Sequence, residues 1–371
     1  MSTILTHDEI YRLPKIDLHR HVDGAIKPET LIRLAKEFGV KLPTYELDEF
    51  TKLYQITEPD MSIDQIFQRF GWGIAVMRTP HGLHDVFREQ VHDLAEENIL
   101  CAELRFAPGY HSIYPPPWYK PEMYETEPFP AMSLHQTVCY ALAGIERGMK
   151  ETGIAVNLTL SIPRESLSVW GKNSVEAIVK LALQFQNEGV VAIDLACDEY
   201  TYTPDPYIPY FRATRGSRIR RNPHGGEMGS PEQRLKNIAT CLNGLNADGI
   251  GHALEIYQSI YLMFLARCRN IRIERTPLSP VPGCSLADGH LDVLLKHKVP
   301  VVITSDDPVL MQASLTDNWL AALNYHQFTD EQFWQMTANA VNTAFYRDEA
   351  QKTRVQEEFV KRGLSESLLR R

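Results

Sequence analysis

The sequence has little that would mark a nucleic-acid-binding, membrane or secreted protein. Its 38 Lys and Arg are outnumbered by 47 Asp and Glu, and the net charge of −9 offers no basic surface for a nucleic-acid backbone or an anionic membrane. No apolar run approaches the ~20 residues that a membrane span requires. The first residues also lack the basic start and apolar stretch of a signal peptide. We therefore expect a cytoplasmic protein with a small-molecule ligand and no nucleic-acid or membrane partner.

Cysteine pairs, repeats and linkers are missing too. The six cysteines form no Cys-x-x-Cys pair, which excludes the usual zinc-thiolate site and favours reduced thiols over a disulfide framework. No internal repeat, low-complexity segment or flexible linker divides the 371 residues, so we predict that residues 1–371 form a single domain. Nothing in the sequence specifies an oligomeric state.

Apolar, β-branched segments recur along the chain with amphipathic segments between them. Near-continuous apolar strands are typical of a parallel sheet covered on both faces. Eight such strands alternating with helices predict a (β/α)₈ barrel of the TIM type. An open doubly wound sheet is the alternative, but a glycine-rich phosphate loop usually follows its first strand, and this chain lacks one there. The predicted strands are Lys15–His21, Cys101–Ala107, Ala155–Ile162, Val190–Ala196, Arg218–His224, Gly249–His252, Asn270–Arg275 and Val299–Thr304.

Several helices and two long loops are expected around this barrel. Pro28 begins one helix, which Gly39 ends, and Ser230 caps another, with Gln233 completing a capping box. A further helix is expected over 62–76, before the second strand. The aromatic and proline-rich insertions 111–130 and 200–210 are either binding loops at the mouth or surface excursions stiffened by proline.

Short polar motifs stand where four of the predicted strands end. His19 and His21 lie two residues apart on a strand, so their side chains point to the same side. Because the carboxyl ends of barrel strands converge on one mouth, His224 and Asp306 could join them at one ion. Imidazole and carboxylate groups suit a divalent metal such as zinc, and burying Asp306 beside Asp307 requires a metal or strong hydrogen-bond donors. The motifs therefore predict a metal site at the barrel mouth.

Two further side chains are placed to move protons at that mouth. Glu227 follows the His224 motif, and His252 ends a short strand. A nearby cation would stabilise the Glu227 carboxylate, whereas desolvation would raise its pKa, and the sequence leaves this balance open. His252 could orient or deprotonate a water molecule at the metal.

One local cluster runs against the acidic composition of the chain. A solvated helix and loop is the favoured interpretation, and phosphate binding is the alternative. The cluster consists of Arg212, Arg215, Arg218, Arg220 and Arg221.

These motifs together resemble the adenosine deaminase family. The resemblance spans nearly the whole chain in the family's order. It implies a metal-dependent barrel that removes ammonia hydrolytically from the 6-amino group of a purine nucleoside. The matching segments are residues 14–26 (PKIDLHRHVDGAI), 102–106 (AELRF), 193–199 (IDLACDE), 224–227 (HGGE), 251–252 (GH) and 304–308 (TSDDP).

The resemblance also implies a role for each motif residue near the metal. One Zn²⁺ per chain would be bound, and it would lower the pKa of a water molecule toward neutrality. Glu227 would donate a proton to ring N1, and His252 would assist the attacking water. Asp306 would act both as a ligand and as a catalytic residue, and His21 would also line the substrate site. The implied zinc ligands are His19, His21, His224 and Asp306.

Three other positions would contact the substrate by the same resemblance. Asp307 would hydrogen-bond N7, and the backbone at Cys197 would face N3. Asp23 would contact the ribose 5′-hydroxyl, which favours a free nucleoside because its carboxylate would repel a phosphate. Cys197 departs from the glycine that the family usually has, so a thiol is expected beside the purine.

Several departures leave alternatives open. The order Pro223-His224-x-Gly-Glu and the neighbouring arginines also resemble AMP deaminases, so AMP or an N6-substituted adenine compound is a second substrate class. A two-metal amidohydrolase would commonly carry a lysine where the fourth strand ends, and Cys197 and Asp198 follow that strand here. A non-catalytic nucleoside-binding protein would need a broken catalytic position, and the motifs show none.

Overall fold

The protein is described from a computed structural model, which covers residues 5–56, 63–117, 130–279, 286 and 290–369. Within these ranges the chain forms nine strands, all paired in parallel. The strands are β1 (Lys15–His21), β2 (Ile99–Phe106), β3 (Ala155–Pro163), β4 (Val190–Ala196), β5 (Arg220–Arg221), β6 (His224–Gly225), β7 (Gly249–His252), β8 (Arg272–Arg275) and β9 (Val301–Ile303).

Backbone hydrogen bonds join two sheets, β1-β2-β3-β4-β5 and β6-β7-β8-β9, into one barrel. At one seam, the N–H of His21 donates to the carbonyl of Asp306, and the N–H of Asp306 donates to the carbonyl of His19, both at 2.8 Å. At the other seam, the N–H of Asn222 donates to the Ile193 carbonyl at 2.9 Å. The predicted (β/α)₈ barrel is confirmed.

The fifth predicted strand is the one that departs from expectation. Instead of one strand over Arg218–His224, the chain forms the two short strands β5 and β6, with Asn222 and Pro223 between them. Pro223 has no N–H to donate to a ladder, so the pairing breaks at this point. The Pro223 carbonyl still accepts from the N–H of Gly251 at 3.0 Å, which keeps the broken strand beside β7.

Helices surround the strands and pack their apolar faces on the barrel. As predicted, α2 begins at Pro28 and is followed by Gly39 in the left-handed conformation. The helices are α1 (His7–Arg12), α2 (Pro28–Phe38), α3 (Leu47–Tyr54), α4 (Ile63–Val76), α5 (Pro80–Glu96), α6 (Leu134–Thr152), α7 (Ser166–Val169), α8 (Lys172–Gln184), α9 (Ile208–Arg212), α10 (Pro231–Asn243), α11 (Ile260–Cys268), α12 (Leu291–Lys296), α13 (Leu315–His326), α14 (Asp330–Thr343), α15 (Glu349–Lys361) and α16 (Glu366–Leu369). Among these described helices, none has both the length and the apolar character to cross a membrane.

Of the two predictions for the N-terminus of α10, the N-cap is confirmed and the capping box is wrong. The Ser230 hydroxyl accepts from the N–H of Gln233 at 3.3 Å, as expected of an N-cap. The Gln233 side chain does not return to the cap, and instead donates to the carbonyls of Glu199 and Tyr200 at 3.1 and 3.2 Å. These hydrogen bonds of Gln233 connect α10 to the loop after β4, so they take the place of the predicted capping box.

The two insertions lie at the barrel mouth where the structure describes them. Tyr202, in the insertion 200–210, lines the main cavity there, and the same insertion forms a short 3₁₀ turn at Asp205–Tyr207 and begins α9. Of the insertion 111–130, Pro117 lines that cavity, and residues 118–129 lie outside the described ranges. Ser62 and Cys284 also lie outside them, and the other five cysteines are free thiols.

Charged side chains fill much of the barrel interior. Glu103 on β2 and Arg272 on β8 are fully buried and form a bidentate salt bridge. The Arg272 Nη1 donates to Glu103 Oε1 at 3.0 Å, and its Nη2 donates to Oε2 at 2.5 Å. The Arg272 Nε donates to Glu274 at 2.7 Å, and its Nη1 donates to the Thr343 carbonyl at 2.6 Å. Because strand residues alternate in direction, Leu104 packs instead in the apolar layer beneath the helices.

We predict that Arg272→Met lowers the free energy of unfolding by about 3–5 kcal/mol, because it leaves the buried Glu103 carboxylate without its cation. Urea denaturation would measure the change. Arg147→Met is the control, since the Arg147 side chain is 61% exposed and pairs with Glu151 one helical turn away on the protein surface. It should cost about 0.5 kcal/mol or less. Equal effects of the two substitutions would contradict a stabilising role for the interior pair.

Candidate metal centre and active site

Four side chains from distant parts of the chain meet at the barrel mouth. The His224 Nε2 lies 3.0 Å from the Nε2 of His19 and 3.1 Å from that of His21. The Asp306 Oδ1 lies 3.5 Å from each of the Nε2 atoms of His19 and His21. All four ligand atoms lie within 4.8 Å of one another. The structure thus brings together the complete set of predicted metal ligands.

The hydrogen bonds behind two of these histidines favour a cation between them. The Nδ1 of His19 lies 2.7 Å from Glu274 Oε2, and the Nδ1 of His224 lies 2.9 Å from Asp194 Oδ1. A carboxylate accepts hydrogen bonds, so each Nδ1 carries the hydrogen and each Nε2 presents a lone pair. Two lone pairs 3.0 Å apart repel unless a positive charge lies between them. Three imidazole nitrogens and one carboxylate oxygen therefore fit zinc.

Burial favours the neutral form of His19 and His21, whereas at His224 the effect of burial is outweighed by the Asp194 carboxylate, which raises the pKa of that imidazole. Burial, with Arg105 and the neighbouring histidines, holds the pKa of His19 well below its ordinary range. The pKa of His21 is lowered by burial and by His224. Neutral imidazole is the form that coordinates a metal ion.

Arg105 links the two carboxylates that orient the histidines. Its Nη2 donates to Glu274 Oε2 at 3.1 Å, and its Nη1 lies 3.5 Å from Asp194 Oδ2. The Ser161 hydroxyl donates to the same Asp194 oxygen at 2.8 Å, and the Asn222 amide donates to Glu274 at 2.8 Å. Sequence reasoning missed Asp194 and Glu274 as partners of the histidines. For Asp194 the available signal was an acidic residue within an otherwise apolar strand, whereas Glu274 lies between arginines on β8 and had no such signal.

Glu227 and His252 lie beside the metal cluster. The Nε2 of His252 is 3.5 Å from Glu227 Oε1 and 3.8 Å from Asp306 Oδ2. Burial raises the pKa of Glu227 to about 8, with Asp306 and Glu199 adding to the effect and His224 opposing it. Burial also holds the pKa of His252 well below its ordinary range. A carboxyl group that can donate a proton and a neutral imidazole that can accept one therefore lie side by side at the metal cluster.

Glu199 holds the backbone of the Glu227 loop in place. Its carboxylate accepts the N–H groups of Gly226, Glu227 and Met228 at 2.8, 2.8 and 3.1 Å. The Asn237 amide donates to it at 2.9 Å. A carboxylate that receives several backbone N–H groups fixes a loop that has no regular structure of its own. Sequence reasoning did not foresee this positioning role of Glu199.

The carboxylates of Asp23 and Asp307 lie within 4.8 Å of each other and of a ring nitrogen of His21. Burial raises the pKa of Asp23 to about 6, and it raises that of Asp307 well above its ordinary range, with Asp306 and Asp23 contributing. Gly24 makes their approach possible, because a Cβ at that position would lie 1.7 Å from Asp307 Oδ1.

Cys197 stands at the cavity wall, as expected of a thiol beside the ligand. Its backbone φ is +77°, a left-handed conformation that glycine adopts readily and other residues seldom do. Its Sγ lies 3.2 Å from the Tyr110 hydroxyl.

A cavity of about 280 Å³ opens beside the metal cluster, and its lining includes His21, His224, Asp306 and Glu227. Apolar side chains such as Phe70 and Met311 form part of its wall, as is usual for a small-molecule site. Among the described residues that line it, none is lysine or arginine, whereas six are acidic. These are Asp23, Glu165, Asp198, Glu227, Asp306 and Asp307.

The arginine cluster noted in the sequence does not line the cavity at the metal cluster. Arg218 and Arg220 line a separate cavity of about 510 Å³, together with Val190 at the start of β4 and Asn270 just before β8. These are the amino ends of the strands, whereas the metal cluster lies at their carboxyl ends. Arg221 turns inward to Asp248 at 2.6 Å. The structure therefore does not bring these arginines to the candidate active site.

This fold and this set of metal-binding side chains define the class of amidohydrolase-type barrels. The sequence model of the adenosine deaminase family matches residues 14–362, and the chain belongs to that family. It is 26% identical over 341 residues to the adenosine deaminase of Vibrio vulnificus, with 91% of this chain and 96% of the relative covered. It is 28% identical over 363 residues to that of Mycolicibacterium vanbaalenii, with 93% and 94% covered. The protein is accordingly a deaminase-type enzyme.

Solved structures share the fold. The adenine deaminase of Arthrobacter aurescens has a TM-score of 0.77 at 20% identity, covering 94% of this chain and 98% of its own. A zinc-bound amidohydrolase from Burkholderia ambifaria has a TM-score of 0.78 at 20% identity, covering 98% and 95%. The N6-methyl-AMP deaminase of Arabidopsis thaliana has a TM-score of 0.75 at 23% identity, covering 96% and 98%.

We predict that Glu274→Gln weakens zinc affinity about 10–100-fold. The groups facing this carboxylate, namely the His19 Nδ1 and the Arg105, Asn222 and Arg272 side chains, are all donors. An amide would turn its own hydrogens toward one of them, and His19 would lose the partner that fixes its tautomer.

Competition with a chromophoric chelator would measure the affinity, and elemental analysis should find about one zinc per wild-type chain. Glu146→Gln is the control, because the Glu146 side chain is 62% exposed on α6. Unchanged affinity in a folded Glu274→Gln protein would show that Glu274 does not support a metal ligand.

Proposed function

We propose that the protein removes the 6-amino group of adenosine, or of a close adenine nucleoside, by hydrolysis, which produces inosine and ammonia with one bound Zn²⁺. The observation that carries this proposal is the cluster of His19, His21, His224 and Asp306 at an acidic cavity that also contains the buried, protonatable Glu227. Membership of the adenosine deaminase family supports the same reaction.

The metal would be held by His19, His21, His224 and Asp306, whose donor atoms already converge. When bound, zinc would supply a Lewis acid that lowers the pKa of water and offsets the negative charge of the neighbouring acids. Asp194 and Glu274, acting through Nδ1 of two of the histidines, keep the coordinating nitrogens aimed inward.

Glu227 is the proposed proton donor to ring N1. Protonation there draws electron density from C6 and makes that carbon more susceptible to attack by water. His252, neutral and 3.5 Å from Glu227, is placed to take a proton from the attacking water. Asp307, whose raised pKa favours the protonated form, can donate a hydrogen bond to N7.

The charges of the cavity favour a nucleoside over a nucleotide. Among the described lining residues, no arginine or lysine is present to pair with a phosphate group. Asp23 is buried at 8% exposure, and its Oδ1 has no protein partner, so it suits a hydroxyl donor. The arginines that made AMP an alternative lie at the other end of the barrel.

One metal is proposed because the four donor atoms surround one point and the chain after β4 offers Cys197 where a bridging lysine would stand.

We predict that adenosine incubated with the zinc-loaded protein acquires the ultraviolet spectrum of inosine, and that Glu227→Gln slows this reaction about 10²–10⁴-fold. The amide keeps the shape of the side chain but cannot donate the proton that N1 requires. Glu232→Gln, at an exposed position on α10, should keep full activity. Full turnover by a zinc-loaded Glu227→Gln protein would contradict the proton-donor role.

We further predict that kcat/KM for AMP is lower than that for adenosine by about 100-fold or more, because phosphate would be placed against like charges. The rates can be compared by coupled ammonia release on adenosine, AMP and N6-methylated forms of each. A preference for AMP would assign the protein to the nucleotide-specific alternative.

A further inference from the structure

Three polar side chains of the cavity have no part in the proposed mechanism. Tyr110, Glu165 and Cys197 follow β2, β3 and β4 respectively, and all three line the cavity. The metal-binding side chains come instead from β1, β6 and the residues after β9. The three side chains therefore form a part of the cavity wall that comes from other strands than the metal cluster; we refer to it as the β2–β4 wall.

These side chains form one hydrogen-bonded group. The Tyr110 hydroxyl donates to Glu165 Oε1, and Cys197 Sγ lies 3.2 Å from the same hydroxyl oxygen. Tyr110 is 4% exposed and Glu165 is 7% exposed. The left-handed backbone of Cys197 turns its thiol toward this pair rather than leaving the open space that glycine would leave. Backbone strain of this kind is found where the surroundings impose it, often at binding sites.

Glu165 is a buried carboxylate, and no salt bridge pairs it with a cation among the described residues. Its neighbour Arg164 turns the other way and donates to the carbonyls of His224 and Tyr202 at 2.9 and 3.0 Å. Burial raises the pKa of Glu165, and the Tyr110 hydroxyl opposes that rise. Burying a carboxylate with few donors is costly, so a ligand that brings hydrogen-bond donors would be stabilised there.

The geometry of a purine nucleoside takes its sugar toward the β2–β4 wall. N9, which carries the ribose, is at the opposite end of the purine bicycle from C6. With C6 at the metal cluster, the N9 substituent extends into the rest of the cavity, whose lining includes Glu165 and Tyr110 as well as Asp23, which suits another ribose hydroxyl. A ribose presents two adjacent hydroxyl groups there, and each can donate a hydrogen bond to a carboxylate.

We propose that Glu165, oriented by Tyr110, is a specificity-determining residue that accepts hydrogen bonds from the 2′,3′-diol of the substrate ribose. Cys197 packs against the Tyr110 hydroxyl and keeps this pair in place. The inference rests on the proposed function, because it requires a nucleoside in the cavity. It adds that the enzyme selects ribonucleosides over nucleosides that lack the diol.

The test compares adenosine with 2′,3′-dideoxyadenosine in the zinc-loaded wild type, Glu165→Gln and Tyr110→Phe. We expect the wild type to prefer adenosine at least about 10-fold in kcat/KM. Glu165→Gln should lower kcat/KM for adenosine about 10–100-fold, as for loss of a hydrogen bond to a charged group, and change that for dideoxyadenosine less than about 3-fold. Tyr110→Phe should reduce the preference in the same direction but less, and it provides a second test if Glu165→Gln folds poorly.

The control is the exposed substitution Glu146→Gln, which should leave both substrates unchanged. Equal losses on both substrates in Glu165→Gln and Tyr110→Phe, or a wild type that does not distinguish the substrates, would overturn this inference while leaving the proposed deamination standing. A zinc-loaded wild type inactive on both nucleosides would overturn the proposed function, and this inference with it.

Discussion

The structure depends on the buried positive charge of Arg105, held between two carboxylates inside the barrel. Asp194 and Glu274 would each be costly to bury alone, because a carboxylate loses several kcal/mol of hydration in such an interior. Arg105 offsets both, and each carboxylate uses another oxygen lone pair to hold the Nδ1 of a histidine. The charge balance of the core and the orientation of the metal cluster are therefore one arrangement. A change to either would be transmitted to the other through hydrogen bonds of about 3 Å.

At the barrel mouth, the groups proposed for chemistry and the groups proposed for recognition come from different strands. The side formed by β1, β6, β7 and the residues after β9 carries the groups proposed for chemistry, and their pKa values are displaced by burial and by one another. The β2–β4 wall carries groups placed for recognition. Because each group stands at the end of a different strand, the chain can alter the recognition side without disturbing the catalytic side. Cys197, which replaces the family's usual glycine, is such an alteration.

Unusual backbone conformations occur where strands meet the mouth. Cys197, His252 and Asp306 all have positive φ, at +77°, +65° and +62°. Each directly follows or ends a segment hydrogen-bonded into the barrel, so the chain must turn sharply while its side chain stays in the cavity. Non-glycine residues in this region carry strain, which the packed strands around them can sustain. These turns bring Asp306 beside His19 although the two residues lie far apart in sequence.

The sequence by itself determined the alternation of strands and helices and the positions of the motifs at strand ends, because periodicity and turn residues act locally. It placed His19 and His21 on one side of a strand for the same reason. Only the tertiary structure decided what lies between distant segments. His19 and Glu274 are separated by 255 positions, and their contact follows from barrel closure and strand register. The same closure placed Arg218 and Arg220 at the amino ends of the strands and joined Tyr110, Glu165 and Cys197. None of these contacts has a local sequence pattern, since each depends on which strands become neighbours when the barrel closes.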